Sequence, residues 1–167
     1  MLYRLYMDSP LGIIEITGEE AGIQSVYFEN RFNRPLQVDS APWEGPEVLG
    51  MCRLQLQEYF TGKRSVFSIP VLETGTEFQK TVWQELREIP YGKTLSYTDL
   101  AQRLGSADKV RAVAMANARN RLNILIPCHR VVGIRGQLTG YGGELWRKHW
   151  LLRHENPSHQ LDLFLSQ

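Results

Sequence analysis

The apolar residues change their repeat near Ile69-Pro70, and that change restricts the chain to a mixed fold made in two parts. Before it, apolar and polar residues alternate in Leu2 to Met7, Gly12 to Thr17 and Ile23 to Phe28, with breaks at Ser9-Pro10 and from Gly18 to Gly22. A period of two lines one face of a sheet, so these segments predict a small antiparallel meander. A loop rich in Pro, Asn and Asp follows from Asn30 to Gly45. Leu49, Cys52, Leu56, Tyr59 and Phe60 then recur at helical spacing until Gly62. Cys52 lies on that apolar stripe and reads as a packed core thiol.

A boundary near residue 73 separates this N-terminal part, 1–72, from a second part of different texture. Thr76 to Gln79 has the form of a capping box, opening a helix with Phe78, Val82, Trp83, Leu86 and Ile89 on its apolar face. Pro90, Tyr91 and Gly92 end it. Ser96 can cap a short helix containing Leu100, Ala101 and Leu104; Gly105 turns the chain; Ser106 can cap another helix from about Ala107 to Ala118. Two short helices about a glycine turn suggest a helix-turn-helix, although a plain helical hairpin gives the same pattern.

Charge sharpens the division. Residues 1–72 hold 6 Lys+Arg against 9 Asp+Glu, whereas 73–167 hold 13 against 9. Lys109, Arg111, Arg119, Arg121 and Arg130 fall in a stretch free of acidic residues, which suits a polyanion or, equally, a solvated helix face. No run approaches the roughly 20 apolar residues of a membrane span, and the N-terminus lacks the order of a signal peptide. The expectation is a cytoplasmic protein with no membrane association and with Cys52 and Cys128 as free thiols. Cys52 is the one cysteine of the N-terminal part and all four histidines lie after residue 128, so no zinc cluster is expected there, and no other metal or cofactor is expected.

The segment from Ile124 to Val132 sets Cys128 and His129 between two hydrophobic runs. A thiol with a pKa of about 8.5 is mostly protonated at neutral pH and needs a proton acceptor or positive charge to become a nucleophile. His129 and Arg130 are the adjacent suppliers. In an extended strand, Cys128 and His129 would face opposite ways, so either Pro127 bends the chain or a water joins them.

This segment, with Leu95 to Ala101, Val110 to Val113, Gly140 to Gly143 and Trp150 to Glu155, resembles the O6-alkylguanine-DNA alkyltransferase family, and the likeness runs from about Thr76 to Glu155. The resemblance implies an α+β chain. Its N-terminal antiparallel sheet and helix would be ribonuclease H-like, and a mainly helical, winged-helix-like domain with a helix-turn-helix would occupy 73–155, ahead of a tail at 156–167. It implies repair of duplex DNA by a monomer in one irreversible step. The alkyl group of O6-alkylguanine, and of O4-alkylthymine, would pass to Cys128.

The family's roles carry over residue by residue. His129 would take the thiol proton through a water and Glu155 would orient the imidazole. Tyr97 would serve the departing base, and Asn120 would position Cys128. Val131, Tyr141, Gly142 and Gly143 would hold the flipped base. Arg111 would fill the gap in the stack, with Lys109, Ala112 and Arg119 alongside it on the DNA. Val110 and Lys109 are bulkier than the family's usual residues, and Arg121 and Asn123 stand where prolines are common, which leaves groove insertion and the pocket wall open. Gln160, Leu161, Asp162, Leu163 and Phe164 resemble the peptide that binds the bacterial sliding clamp; packing on the chain's own surface is the competing reading. A cysteine hydrolase and a non-enzymatic sensor of alkylated DNA are the alternative functions.

Overall fold

The computed structural model describes residues 1–29, 42–141 and 144–158. The chain divides into two compact units, Met1–Thr74 and Gly75–Gln167.

In the first unit, β1 (Tyr3–Met7), β2 (Ile14–Glu19) and β3 (Gly22–Phe28) form an antiparallel sheet in the order β1-β2-β3. Its register pairs Leu5 with Ile16 and Ile16 with Val26, which sets all three on one buried face. Helix α1 (Glu47–Phe60) packs on β2 and β3 and buries Leu49, Cys52, Leu56 and Tyr59 completely. The chain then returns to the sheet, where Ile23 N donates to Pro70 O at 2.9 Å and Leu72 N donates to Ile23 O at 2.7 Å.

In the second unit, the capping box forms as its residues require. Gln79 N donates to Thr76 Oγ1 at 3.1 Å and Thr76 N to Gln79 Oε1 at 3.0 Å, so both partners satisfy donors that the first helical turn leaves unbonded. Helix α2 (Glu77–Arg87) buries Val82, Trp83 and Leu86, followed by Ile89. Phe78 is exposed in its first turn, so the buried stripe starts one turn later than the apolar pattern. Strand β4 (Leu95–Ser96) leads directly into α3 (Tyr97–Arg103), with Ser96 Oγ accepting from Asp99 N. Gly105, at φ +116°, makes the turn that a side chain would resist.

The next helix is shorter than its sequence predicts. Ser106 does cap, but Lys109 N bonds to Ser106 O and Ala107–Lys109 winds as a tight 3-10 turn, so α4 is Val110–Ala118. Trp83 Nε1 donates to Ala116 O at 2.8 Å, joining Arg119 N on one of the last carbonyls of α4. A second 3-10 turn, Cys128–Arg130, precedes β5 (Val131–Val132), which pairs in parallel with β4. That pairing sets Ser96 against Val132 and brings Tyr97 to the segment carrying Cys128. Helix α5 (Leu145–Glu155) closes the unit. At its end Asn156 Nδ2 donates to Gly92 O at 3.3 Å; Gly92 has φ +79° and lies where a Cβ would come 3.2 Å from Glu155 O. No helix among the described residues is long and apolar enough to cross a membrane.

Candidate active site

The backbone before Cys128 is bent twice. Leu125 N donates to Asn123 O at 2.8 Å around Ile124, whose φ is +71°. Cys128 N donates to Ile126 O at 2.8 Å around Pro127, at φ −80° and ψ 61°. The second bend is the relaxed inverse γ-turn; the first is strained, because a β-branched residue strongly resists positive φ. Buried carboxamides hold it in place. Asn120 Nδ2 donates to Ile126 O at 2.9 Å, while Asn120 Oδ1 accepts from Leu122 N at the same distance. Asn117 Nδ2, from α4, reaches Cys128 O at 3.4 Å. Of the two alternatives the sequence left open, the bend at Pro127 is present and is followed by a helical turn, so the opposite-face geometry of a strand does not apply to Cys128 and His129.

Cys128 is 4% exposed. Its Sγ donates toward Asn123 Oδ1 at 3.9 Å. Burial pushes the thiol above the usual cysteine range, opposed by Asn120 and by the charge of Lys148. His129 has no exposure, and burial lowers its imidazole below the ordinary range against the pull of Glu155. The pair is thus a neutral thiol beside a neutral imidazole. His129 Nε2 lies 2.7 Å from Glu155 Oε2, while Nδ1 is buried without a hydrogen-bond partner among the described residues. With Glu155 ionised, Nε2 carries the proton and Nδ1 keeps its lone pair.

Arg130 does not serve the thiol. Its Nε donates to Glu155 Oε1 at 2.7 Å, Nη2 to Glu155 Oε2 at 3.2 Å and Nη1 to Ile89 O at 2.7 Å. Although burial acts to raise it, the Glu155 carboxyl is held far below the carboxylate range by His129 and Arg130. The cation near Cys128 is Lys148, absent from the sequence-based set. It lies on the face of α5 that carries Leu151, Leu152 and Glu155, and a lysine at a core-facing register was the signal that could have found it.

Tyr97 Oη donates to the carbonyls of Thr139 and Gly140 at 3.3 and 3.4 Å. Val131 is buried beside the cysteine turn. Tyr141 is half-buried as a residue but its hydroxyl is fully buried, and that burial drives the hydroxyl pKa well up. Gly142 and Gly143 lie outside the described residues. Arg111, Ala112 and Arg119 are exposed along α4 and its C-cap, as is Lys109 just ahead of it, whereas Val113, Ala116 and Asn117 form its buried side. The unit therefore gathers Cys128, His129, Glu155, Tyr97 and Asn120 around one buried segment and leaves Lys109, Arg111 and Arg119 facing solvent. Among the described residues no group of His, Cys, Asp and Glu has the arrangement of a metal site.

Two family models match the chain. One, described as 6-O-methylguanine DNA methyltransferase, ribonuclease-like domain, covers residues 1–72; the other, its DNA binding domain, covers 77–157. A methylated-DNA–protein-cysteine methyltransferase of Methanosarcina acetivorans is 40% identical over 92% of this chain and 98% of its own. The constitutive protein of that name from Bacillus subtilis is 41% identical over 96% and 99%. The crystal structure of Mycobacterium tuberculosis O6-methylguanine methyltransferase aligns with TM-score 0.81 at 35% identity over all of both chains. That of the Mycobacterium tuberculosis protein in complex with DNA aligns with TM-score 0.80 at 35% identity, over 98% of this chain and 99% of that one.

Proposed function

Because the chain belongs to the 6-O-methylguanine DNA methyltransferase family, we propose that it repairs DNA by moving the alkyl group of O6-alkylguanine, and of O4-alkylthymine, onto Cys128. The observation that carries this reading is the buried Nδ1 of His129, which has no hydrogen-bond partner among the described residues while Glu155 holds the other ring nitrogen, on a residue adjacent in sequence to a buried thiol. As the sulfur attacks the alkyl carbon, its proton passes through a water to Nδ1, and the imidazolium is stabilised by Glu155. The carbon–O6 bond breaks with its electrons moving to the base. Tyr97 protonates the departing guanine, for which its hydroxyl must leave the carbonyls of Thr139 and Gly140. The thioether has no easy return to thiol, so each molecule acts once.

O6 lies inside the base stack, and the target nucleotide must be flipped out at a cost of about a few kcal/mol. Arg111 fills the gap, while Lys109, Ala112 and Arg119 line the duplex. Val131, Tyr141, Gly142 and Gly143 hold the base, and Asn120 fixes the cysteine turn. In this reading 1–72 is a structural domain, 73–155 binds DNA and accepts the alkyl group, and the protein is a cytoplasmic monomer. Arg111→Ala should lose most repair of duplex DNA and little reaction with free O6-benzylguanine, which needs no flipping; equal losses on both would remove the intercalating role.

The tail 156–167 adds a second partner. Gln160 to Phe164 lie outside the described residues, and their sequence supports a tethered ligand of the bacterial sliding clamp, with Leu161, Leu163 and Phe164 as apolar anchors. A chain ending at Asn156 should repair free oligonucleotides normally and lose clamp binding in a pull-down; absence of binding by the full chain at high micromolar concentration refutes this. For the central reading, incubation with an O6-methylguanine duplex should leave one added methyl on the Cys128 peptide by mass spectrometry. Several lesions repaired per molecule without added reductant would overturn it.

A further inference from the structure

Asn117 Oδ1, like His129 Nδ1, is a buried side-chain atom with no hydrogen-bond partner among the described residues. The alkyl-transfer steps above use the imidazole nitrogen and make no use of the carboxamide oxygen. Asn117 is 3% exposed and belongs to the buried side of α4. An acceptor left unpaired in the interior has given up water and gained nothing, which is unfavourable to folding and calls for an explanation from chemistry.

The orientation of this carboxamide is fixed by its neighbour. Nδ2 donates to Cys128 O at 3.4 Å, and the reversed amide would set two acceptors against each other, so Oδ1 is the spare atom of a group held on the cysteine turn. Burial raises the pKa of the Tyr97 hydroxyl, and the Asn117 side chain lies near enough to pull it back. Asn117 thus adjoins both the residue that attacks the alkyl carbon and the residue that protonates the base. A flipped base that meets those two meets Asn117 as well.

The substrate has one kind of donor to offer. Alkylation of O6 leaves guanine N1 without its proton, so N1, N3 and N7 all accept and only the exocyclic 2-amino group donates. We infer that Asn117 is a specificity-determining residue whose Oδ1 accepts a hydrogen bond from the 2-amino group of the flipped O6-alkylguanine. The inference rests on the alkyl-transfer reading and ranks its two substrates. The base of O4-alkylthymine has no N–H group, so it leaves Oδ1 unpaired and is the poorer of the two, as expected where a site built around a polar group meets a ligand lacking its partner.

The test compares two duplexes that differ in that amine alone, one carrying O6-methylguanine and the other O6-methylhypoxanthine, in the wild type, Asn117→Leu and Asn117→Ala. The rate of methyl transfer is read on the Cys128 peptide. The wild type should react about tenfold faster with O6-methylguanine, the effect of one well-made buried hydrogen bond. In both variants this preference should fall severalfold, toward equal rates, because neither replacement can accept. The ratio is taken within each variant, so a general slowing from a disturbed cysteine turn, or an inactive fraction, cancels. A wild type indifferent to the amine would overturn the inference. So would variants that slow on both duplexes and keep the wild-type preference, the behaviour of a carboxamide that only braces the turn. A wild type whose Cys128 takes methyl from neither duplex would instead defeat the alkyl-transfer reading itself.

Discussion

Cys52 and Cys128 are both free, buried thiols, yet their surroundings have opposite characters. Cys52 sits on α1 among Leu49, Leu56 and Tyr59, and burial alone drives its pKa up to about 12. Cys128 suffers the same desolvation, but Asn120, Lys148 and its own backbone pull against it, and Asn123 accepts from its sulfur. Burial therefore does not separate an inert thiol from a nucleophile. What separates them is whether polar and charged groups accompany the thiol into the interior, where an effective dielectric well below that of water strengthens each of them.

The largest expected effect lies in this contrast. Cys128→Ala should abolish methyl transfer from O6-methylguanine duplex while preserving the fold, and Cys52→Ala should retain transfer. The measurement is the mass of each cysteine peptide after reaction. Methyl found on Cys52, or transfer persisting in Cys128→Ala, would break the assignment of chemistry to the polar surroundings.

The two regions were also unequally legible. The three strands and α1 follow from local periodicity, and the capping box at Thr76 from four adjacent residues, because those signals are complete within a few positions. Cys128 and His129 were legible because they are adjacent in a run that resembles a family. The role of Arg130 was not: a cation next to a thiol in sequence suggests thiolate stabilisation, but the 3-10 turn directs it to Glu155, 25 residues away. Lys148 replaces it from α5. Asn117 likewise reaches Cys128 O only because α4 packs against the cysteine turn. Sequence neighbours report chemistry faithfully where the backbone is regular, and the bends at Ile124 and Pro127 are where that relation fails.

A smaller effect, on stability, sharpens the same contrast. Arg130→Met leaves the Glu155 carboxylate, whose side chain is 1% exposed, beside the neutral imidazole of His129 and without the guanidinium that pairs with it. Removing one member of a buried pair costs about 3–5 kcal/mol. Cys52→Ala removes one small apolar group and should cost about 1 kcal/mol. The pH dependences should differ as well as the sizes. Glu155 has a depressed folded pKa, so its contribution is present above the unfolded value of about 4.3 and is lost as pH falls toward the folded one. His129 is also depressed by burial, so acid begins to erode stability below about pH 6.5, where the unfolded imidazole takes a proton. In Arg130→Met the Glu155 pKa rises, and acid unfolding should have a midpoint closer to neutrality. Cys52 has a raised folded pKa, so its contribution is complete below the unfolded value of about 8.5 and fades as pH climbs from there toward 12. Cys52→Ala should therefore lower stability evenly between about pH 4 and 8 and flatten the alkaline slope. Chemical denaturation across pH 4 to 10 would distinguish the two. A uniform, pH-independent loss in Arg130→Met would mean that Arg130 acts by packing, as Cys52 does, and that the charged cluster behind Cys128 is not coupled as its distances require.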